Sequence, residues 1–205
     1  MKPVWLIYRR EMGAYLRSPL GYIVIAVVLL IDGLLFNAFA LGSDTARKSS
    51  EVLKQFFYFS SGTTMVASLF LSMRLLAEER SQGTLNLLFG SPVRDYQIVL
   101  GKYLSALTFL GGLTLLTIYM PGLILVHGKI TFGQIAAGYL GLLLLGSAGL
   151  AIGIFGSALT KSQLVAIIIS AAILVGLILS WLMALITDRP INELFTWLSI
   201  HNKHF

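Results

Sequence analysis

The sequence contains no cysteine and few charged residues. Only 12% of its 205 residues are Asp, Glu, Lys or Arg, whereas 57% are hydrophobic. A soluble domain carries about 25% charged residues, because water must solvate its surface. Without cysteine no disulfide can form. The composition therefore excludes a soluble enzyme, a nucleic-acid-binding module and a disulfide-stapled secreted domain, and it indicates a protein that crosses a membrane several times.

Long apolar runs predict five membrane-spanning segments. A bilayer core about 30 Å thick takes about 20 apolar residues per helix. Backbone polar groups inside lipid must be paired, so each span is predicted to be a helix. The predicted spans are 20–41, 56–76, 104–126, 132–159 and 164–186. The third is predicted to bend or break near Pro121-Gly122. Together these spans predict one all-α integral membrane domain over residues 1–205.

The two ends of the chain are too short or too polar to cross a bilayer. Residues 1–19 are predicted to form a basic amphipathic helix in the membrane interface. Its predicted apolar face consists of Trp5, Met12, Tyr15 and Leu16. Residues 187–205 are predicted to form an extracytoplasmic interfacial or re-entrant segment. This segment contains His201 and His204, which we assign to a solvated loop because a metal site needs three or four ligands.

The distribution of basic residues predicts the orientation. Placing the N-terminus in the cytoplasm puts nine of the 15 Lys and Arg residues on that side and six on the other. The nine are Lys2, Arg9, Arg10, Arg17, Arg74, Arg80, Arg94, Lys102 and Lys161. Because cytoplasmic loops are enriched in Lys and Arg, this bias predicts a cytoplasmic N-terminus.

Asp32 is the acidic residue that falls inside a predicted span. An ionised carboxylate at the bilayer centre costs several kcal/mol, so Asp32 must be protonated, paired or exposed to a polar cavity. Two interpretations stay open. One is a role in a substrate or ion path, and the other is a hydrogen-bonded packing role or a span shifted so that Asp32 approaches the interface.

Glycines recur along the fourth predicted span. They are Gly138, Gly141, Gly146, Gly149, Gly153 and Gly156. Small residues let membrane helices approach closely. We predict that these glycines pack within the monomer, with a dimer seam as the alternative.

The residues that could support catalysis do not form a recognisable set. The run GSALTKS, 156–162, ends like a phosphate-binding loop, but Phe155 and Thr160 stand where that motif requires glycine. The chain also lacks an HExxH motif and a Ser, His and Asp set at a suitable spacing. We therefore predict no catalytic, metal-binding or cofactor-binding residue in this chain.

A polar stretch between the second and third spans, 77–99, is the most informative part of the sequence. It begins AEERSQGTLNLLFGSPVRDY and combines charges of both signs with large apolar residues. A solvated linker would seldom expose so many apolar groups, so the stretch is predicted to dock on a partner.

The run LLAEERSQGTLNLLFGSPVRDYQIVLGKYLSAL, 75–107, closely resembles the signature of ABC type-2 exporter permeases. The matching residues are Glu78, Glu79, Gly83, Thr84, Leu85, Leu88, Ser91, Pro92, Val93, Ile98, Gly101 and Lys102, while Asn86 stands where Glu is usual. The resemblance extends over nearly the whole chain, although only this run is specific. Among subgroups, the chain is most similar to the short permeases of the gliding-motility and nitrous-oxide-reductase accessory type.

The resemblance implies the ABC type-2 exporter fold, with the loop 77–99 as a cytoplasmic coupling element on a separate ATPase subunit that binds ATP and Mg. The residues expected to contact that ATPase are Glu78, Glu79, Arg80, Thr84, Leu85, Leu88, Phe89, Val93 and Arg94. It also implies a bacterial inner-membrane location, a second permease copy or paralogue, lipid contact and an extracytoplasmic accessory protein. Because the family has six spans, this chain either continues into a sixth helix beyond Phe205 or is a shortened member, and we expect the first.

Two other functions are compatible with the sequence. One is an ATP-independent carrier or channel that uses Asp32 in a proton relay, although such carriers often contain internal repeats and several intramembrane charges. The other is a membrane scaffold on which the coupling loop is a static dock.

Overall fold

The described part of the chain is entirely helical. The computed structural model describes residues 2–40, 49–84, 93–127 and 130–186. The helices in these ranges are α1 (Lys2–Arg17), α2 (Pro19–Ala40), α3 (Ser49–Ser72), α4 (Arg74–Ser81), α5 (Asp95–Leu116), α6 (Tyr119–His127), α7 (Phe132–Leu159) and α8 (Gln163–Ile186). This confirms the prediction of an all-α protein.

Four stretches of helix are long and apolar enough to cross a membrane. They are Pro19–Ala38, Ser49–Ser81, Asp95–Leu125 and Phe132–Leu159. Helix α8 coincides with the fifth predicted span and is apolar throughout. A fifth crossing stays a prediction. The predicted segment 187–205, including His201 and His204, lies outside the described residues.

The second and third spans begin earlier than hydropathy predicted. Helix α3 begins at Ser49 rather than at residue 56, and α5 begins at Asp95 rather than at residue 104. The extra turns contain charged side chains, including Glu51 and Lys102. Hydropathy excludes such residues from a span, but a helix continues beyond the apolar core wherever its backbone hydrogen bonds continue. Residues 77–99, predicted as a loop, thus include the ends of two helices.

The third span breaks one turn before the predicted position. Helix α5 ends at Leu116 and α6 begins at Tyr119, whereas the break was predicted near Pro121-Gly122. Proline lacks an amide hydrogen, and its ring collides with the carbonyl of residue i−4, which here is Thr117. The Thr117 carbonyl instead accepts a hydrogen bond from the Met120 amide at 3.1 Å. The helix therefore breaks at Thr117, whose carbonyl cannot form the usual helical hydrogen bond because residue 121 is proline.

Helix α7 lies against both α3 and α8, and its glycines form the contact surface. A Cβ at Gly149 or Gly153 would overlap the hydroxyl of Ser68 or Ser72 on α3. A Cβ at Gly156 would overlap the hydroxyl of Ser170 on α8. The prediction that these glycines pack within the monomer is confirmed.

Helix α1 packs along α5, with Tyr15 at the centre of the contact. The Tyr15 ring is buried and stacks on Phe109, and its hydroxyl donates to the Leu71 carbonyl at 2.7 Å. Trp5 and Leu16 are exposed, so the prediction that they share one face with Met12 and Tyr15 is wrong. Residues eleven apart align after about three turns, whereas adjacent residues lie about 100° apart. Leu16 therefore shares a face with Trp5 and not with Tyr15.

Candidate functional site

Four charged side chains from three helices form a closed ring, here called the charge ring. It lies at the end of the helix bundle where α1 packs. Arg10 Nη2 donates to Oε1 of Glu11 at 2.9 Å and to Oε1 of Glu79 at 2.8 Å. Lys102 Nζ lies 3.1 Å from the same Glu11 oxygen and 3.0 Å from the same Glu79 oxygen. Each cation thus bridges both carboxylates. The ring ties α1 to α4 and to the start of α5.

Burial makes this charge ring sensitive to the loss of any member. The Lys102 side chain is 2% exposed, while that of Arg10 is 57% exposed. The four formal charges sum to zero, which allows them to be removed from water together. Loss of one partner would leave an uncompensated buried charge. The ring therefore fixes the relative positions of the helices that carry it.

The ring shifts the pKa of Glu11 and of Arg10. Burial opposes ionisation of Glu11, but the charge of Lys102 and hydrogen bonds from Arg10 and Lys102 outweigh it, so the pKa of Glu11 lies below its ordinary value. The hydrogen bond to Glu11, together with the charges of both carboxylates, raises the pKa of Arg10. Both shifts favour the charged form of the side chain.

A close approach of two helices lets Lys102 reach the acids. The preceding residue, Gly101, faces α1, where a Cβ would lie 2.9 Å from the Ile7 Cβ and 3.0 Å from the Val4 carbonyl oxygen. Any larger residue would push α1 away from α5. Within the sequence signature, Gly101 thus provides the close contact with α1, and Lys102 provides the buried cation.

The end of α4 positions Glu79. Gly83 has φ +71°, the left-handed conformation that glycine adopts without strain. The Thr84 amide donates to the Glu79 carbonyl at 3.1 Å, and the Gly83 amide donates to the Arg80 carbonyl at 3.4 Å. These two bonds form a Schellman motif that ends the helix. The Gly83-Thr84 part of the signature is therefore a helix stop.

The joint between α3 and α4 is held by one hydroxyl of α7. Ser157 Oγ accepts from the Leu76 and Ala77 amides at 3.1 and 2.9 Å, and it donates to the Met73 carbonyl at 2.8 Å. These backbone groups lie where the helix ladder is interrupted, at Met73. Ser157 replaces the missing helical hydrogen bonds and attaches α4 to α7.

A family model matches most of the chain. The model of the ABC-2 family transporter proteins matches residues 16–200. This chain belongs to the ABC-2 transporter family. It is a multi-pass membrane protein and the permease component of an ABC transporter, and ABC-2 permeases normally work with an ATPase subunit. No curated protein and no solved structure matches the chain.

The ABC-2 signature falls on both sides of a gap between the described residues. Leu85, Leu88 and Phe89 lie outside the described part of the chain. The remaining predicted ATPase contacts lie in and just after the end of α4 and just before the start of α5. Of these, Arg94 is exposed, and Glu78, Arg80, Thr84 and Val93 are half-buried. Glu79 is buried and points into the ring.

Sequence reasoning predicted no contact among the members of the charge ring. Lys102 was named in the count of basic residues and in the signature, Arg10 only in that count, and Glu11 received no role. The available signal was that Glu11 is the acid of an otherwise basic N-terminal helix. Among the described residues, His, Asp and Glu side chains form no group of three that could hold a metal ion.

Asp32 lies between α2 and α3, and its side chain is buried. Thr63 Oγ1 on α3 lies within hydrogen-bond distance of Asp32 Oδ1, at 2.8 Å. Both the packing role and the transport-path role of Asp32 stay predictions.

Proposed function

We propose that this ABC-2 permease is the membrane subunit of an exporter whose separate ATPase pushes on the segment between α4 and α5. The observation that carries the proposal is the charge ring, because it joins both ends of that segment to α1. Glu79 lies at the end of α4 and Lys102 in the second turn of α5. A force applied between them reaches three helices at once.

The neighbouring contacts support this transmission. Ser157 attaches the α3–α4 joint to α7, and Arg74 lies 4.7 Å above the Tyr15 ring of α1. A shift of α4 relative to α7 would break these buried hydrogen bonds. We therefore expect α4 and its neighbours to move as one body when the ATPase dimer closes, biasing the spans between inward-open and outward-open states.

The proposed ATPase contacts divide into two groups. The first group would touch the ATPase directly and consists of Glu78, Arg80, Thr84, Leu85, Leu88, Phe89, Val93 and Arg94. The second is Glu79 alone, whose burial makes it a positioning residue that acts through the charge ring. ATP and Mg would be bound by the ATPase subunit, so the chemical step of hydrolysis lies outside this chain.

Membrane orientation and assembly follow the same proposal. A cytoplasmic ATPase requires the α4–α5 connection and the N-terminus to be cytoplasmic, in the bacterial inner membrane. The exposed face of α1 combines Trp5, Leu6 and Leu16 with Arg9 and Arg17, a composition suited to the interface with anionic lipid. The proposed exporter is of the gliding-motility or nitrous-oxide-reductase accessory type. It also contains a second permease copy or paralogue and an extracytoplasmic accessory protein. In each permease, α8 is the fifth crossing and a sixth lies beyond Phe205. A transport-path role for Asp32 stays a prediction.

Leu88→Asp tests the docking of the connecting segment. A carboxylate in an apolar groove must be desolvated or must separate the two surfaces, at a cost of several kcal/mol. We expect the variant to release the ATPase, or to hydrolyse ATP without transport in proteoliposomes, while the membrane part stays folded.

Gln82→Asp is the matched control for this substitution. It places the same carboxylate at an exposed position near the end of α4, and we expect it to retain ATPase binding and transport. A Leu88→Asp protein that binds its ATPase and transports at the wild-type rate would show that this segment is not the coupling element.

A further inference from the structure

A second buried polar site lies between α2 and α3, within the spans. It contains Asp32, which is 3% exposed, and the α3 residues Ser60 and Thr63. In the described part of the chain, no Lys, Arg or His side chain lies within 4.0 Å of the Asp32 carboxyl group. A titratable group on another element that faces this region is Tyr139 of α7, whose hydroxyl is 3.1 Å from the Thr117 hydroxyl. The carboxyl group of Asp32 is therefore surrounded by neutral groups.

The surroundings of the Asp32 carboxyl group favour its neutral form. Thr63 Oγ1 lies 2.8 Å from Asp32 Oδ1 and 3.1 Å from the Ser60 carbonyl oxygen. An ionised Asp32 would accept a hydrogen bond from Thr63, but one hydroxyl without a cation does not offset the removal of a carboxylate from water. A protonated Asp32 can instead donate to Thr63 Oγ1, whose own proton then goes to the Ser60 carbonyl.

An unpaired hydroxyl and a cavity adjoin these groups. Ser60 is 2% exposed, and its Oγ has no hydrogen-bond partner. A cavity lined by Asp32, Ser60 and the rings of Phe36, Phe56 and Phe59 leaves about 10 Å³ for the centre of a water-sized sphere. A single water needs about that volume and at least two polar partners. Ser60 Oγ and the second carboxyl oxygen of Asp32 supply the two partners.

We propose that Asp32, Ser60 and Thr63 form a binding site for one proton and one water molecule between α2 and α3. The proton resides on Asp32, and the water bridges its second oxygen to Ser60. A metal ion would require more oxygen ligands than the described residues supply. The site holds two spans together without placing a net charge in the bilayer.

Infrared spectroscopy of the full chain in nanodiscs tests the proton, because a carboxylic acid and a carboxylate absorb at separate frequencies. We expect a carboxylic acid band at neutral pH in the wild-type protein and its loss in Asp32→Asn. A wild-type spectrum without that band would overturn the proposal, and this measurement needs no variant. A carboxylic acid band that appears only when Na⁺ is replaced by choline would overturn the proposal as well, because it would show that Na⁺ occupies the site in Na⁺ buffer.

The water is tested by Ser60→Ala, with Ser61→Ala as the control. Ser61 is adjacent, and its hydroxyl donates to the Tyr58 carbonyl at 2.6 Å outside the site. We expect Ser60→Ala to shift the acid band and to remove a water O–H band that responds to H₂¹⁸O, and Ser61→Ala to leave both bands unchanged. An acid band that is the same in Ser60→Ala as in the wild type would overturn the bridging water.

Discussion

The two buried polar sites of this permease, the charge ring and the Asp32 site, differ in the ionisation of their carboxyl groups. The charge ring has two cations and two carboxylates, and one of its members, Arg10, reaches water. The Asp32 site has one acid, two hydroxyls and aromatic walls, deep within the spans. Four opposite charges satisfy one another near the surface, whereas a single acid among neutral groups is stable only without its charge. The depth of a carboxyl group in the membrane, together with its partners, therefore decides whether it is ionised.

Lys102→Met is the variant expected to have the largest effect on this comparison. It leaves Glu11 and Glu79 buried with Arg10 as their only shared cation. We expect a loss of about 3–5 kcal/mol in the free energy of unfolding, measured by denaturant titration in mixed micelles. Adding Glu79→Gln to Lys102→Met restores neutrality and should recover part of this loss. Wild-type stability of the single variant would show that the ring does not hold the helices together.

Glu79→Gln removes one charge and keeps the shape of the side chain. The amide cannot balance Lys102, so we expect a loss of about 2–3 kcal/mol and a marked fall in ATP-dependent transport with the ATPase still bound. A contact at the rim of the ATPase interface would instead give only a slower association. Surface plasmon resonance with the ATPase separates the two outcomes, since a positioning residue changes transport more than binding.

Acidification tests the charge ring without a substitution. Because the pKa of Glu11 is lowered on folding, its contribution to stability is complete above the unfolded value of about 4.3 and is lost as pH falls through the lower folded value. We expect the free energy of unfolding to fall as the pH is lowered through that range, because Glu11 then loses its charge. Glu11→Gln should flatten this part of the pH profile. A profile that is identical in the variant would remove Glu11 from the ring.

Asp32→Asn is expected to have the smallest effect. It makes the same change from acid to amide as Glu79→Gln, but the amide replaces an acid that is already neutral. We expect a change below about 1 kcal/mol in the free energy of unfolding and near wild-type transport in proteoliposomes. Asp32→Leu, which leaves Thr63 and Ser60 unpaired, should cost more. Lost transport in Asp32→Asn with intact ATPase activity would instead place Asp32 in the transport path.

The sequence predicted the helices of this permease better than their contacts. Apolar runs located α2, α7 and α8, and the spacing of glycines indicated the face on which α7 packs. The charge ring was beyond such reasoning, because Glu11 and Lys102 are 91 residues apart and meet only through the packing of α1 on α5. The span limits predicted from hydropathy also left out the polar first turns of α3 and α5. The Asp32 site was located by its acid, but the pairing with Thr63 depends on the register of two helices.

The glycine contact between α3 and α7 restricts how these two helices can slide. Thr64, Ser68 and Ser72 on α3 face Gly146, Gly149 and Gly153 on α7, so each side chain occupies a notch in the opposite helix. The notches recur about once per turn, roughly 5.4 Å along the axis, and Leu150 and Ile152 stand between the second and the third. A displacement of part of a turn would move the Ser68 and Ser72 hydroxyls out of their notches and against the backbone of α7. We therefore expect α3 and α7 to move together during transport.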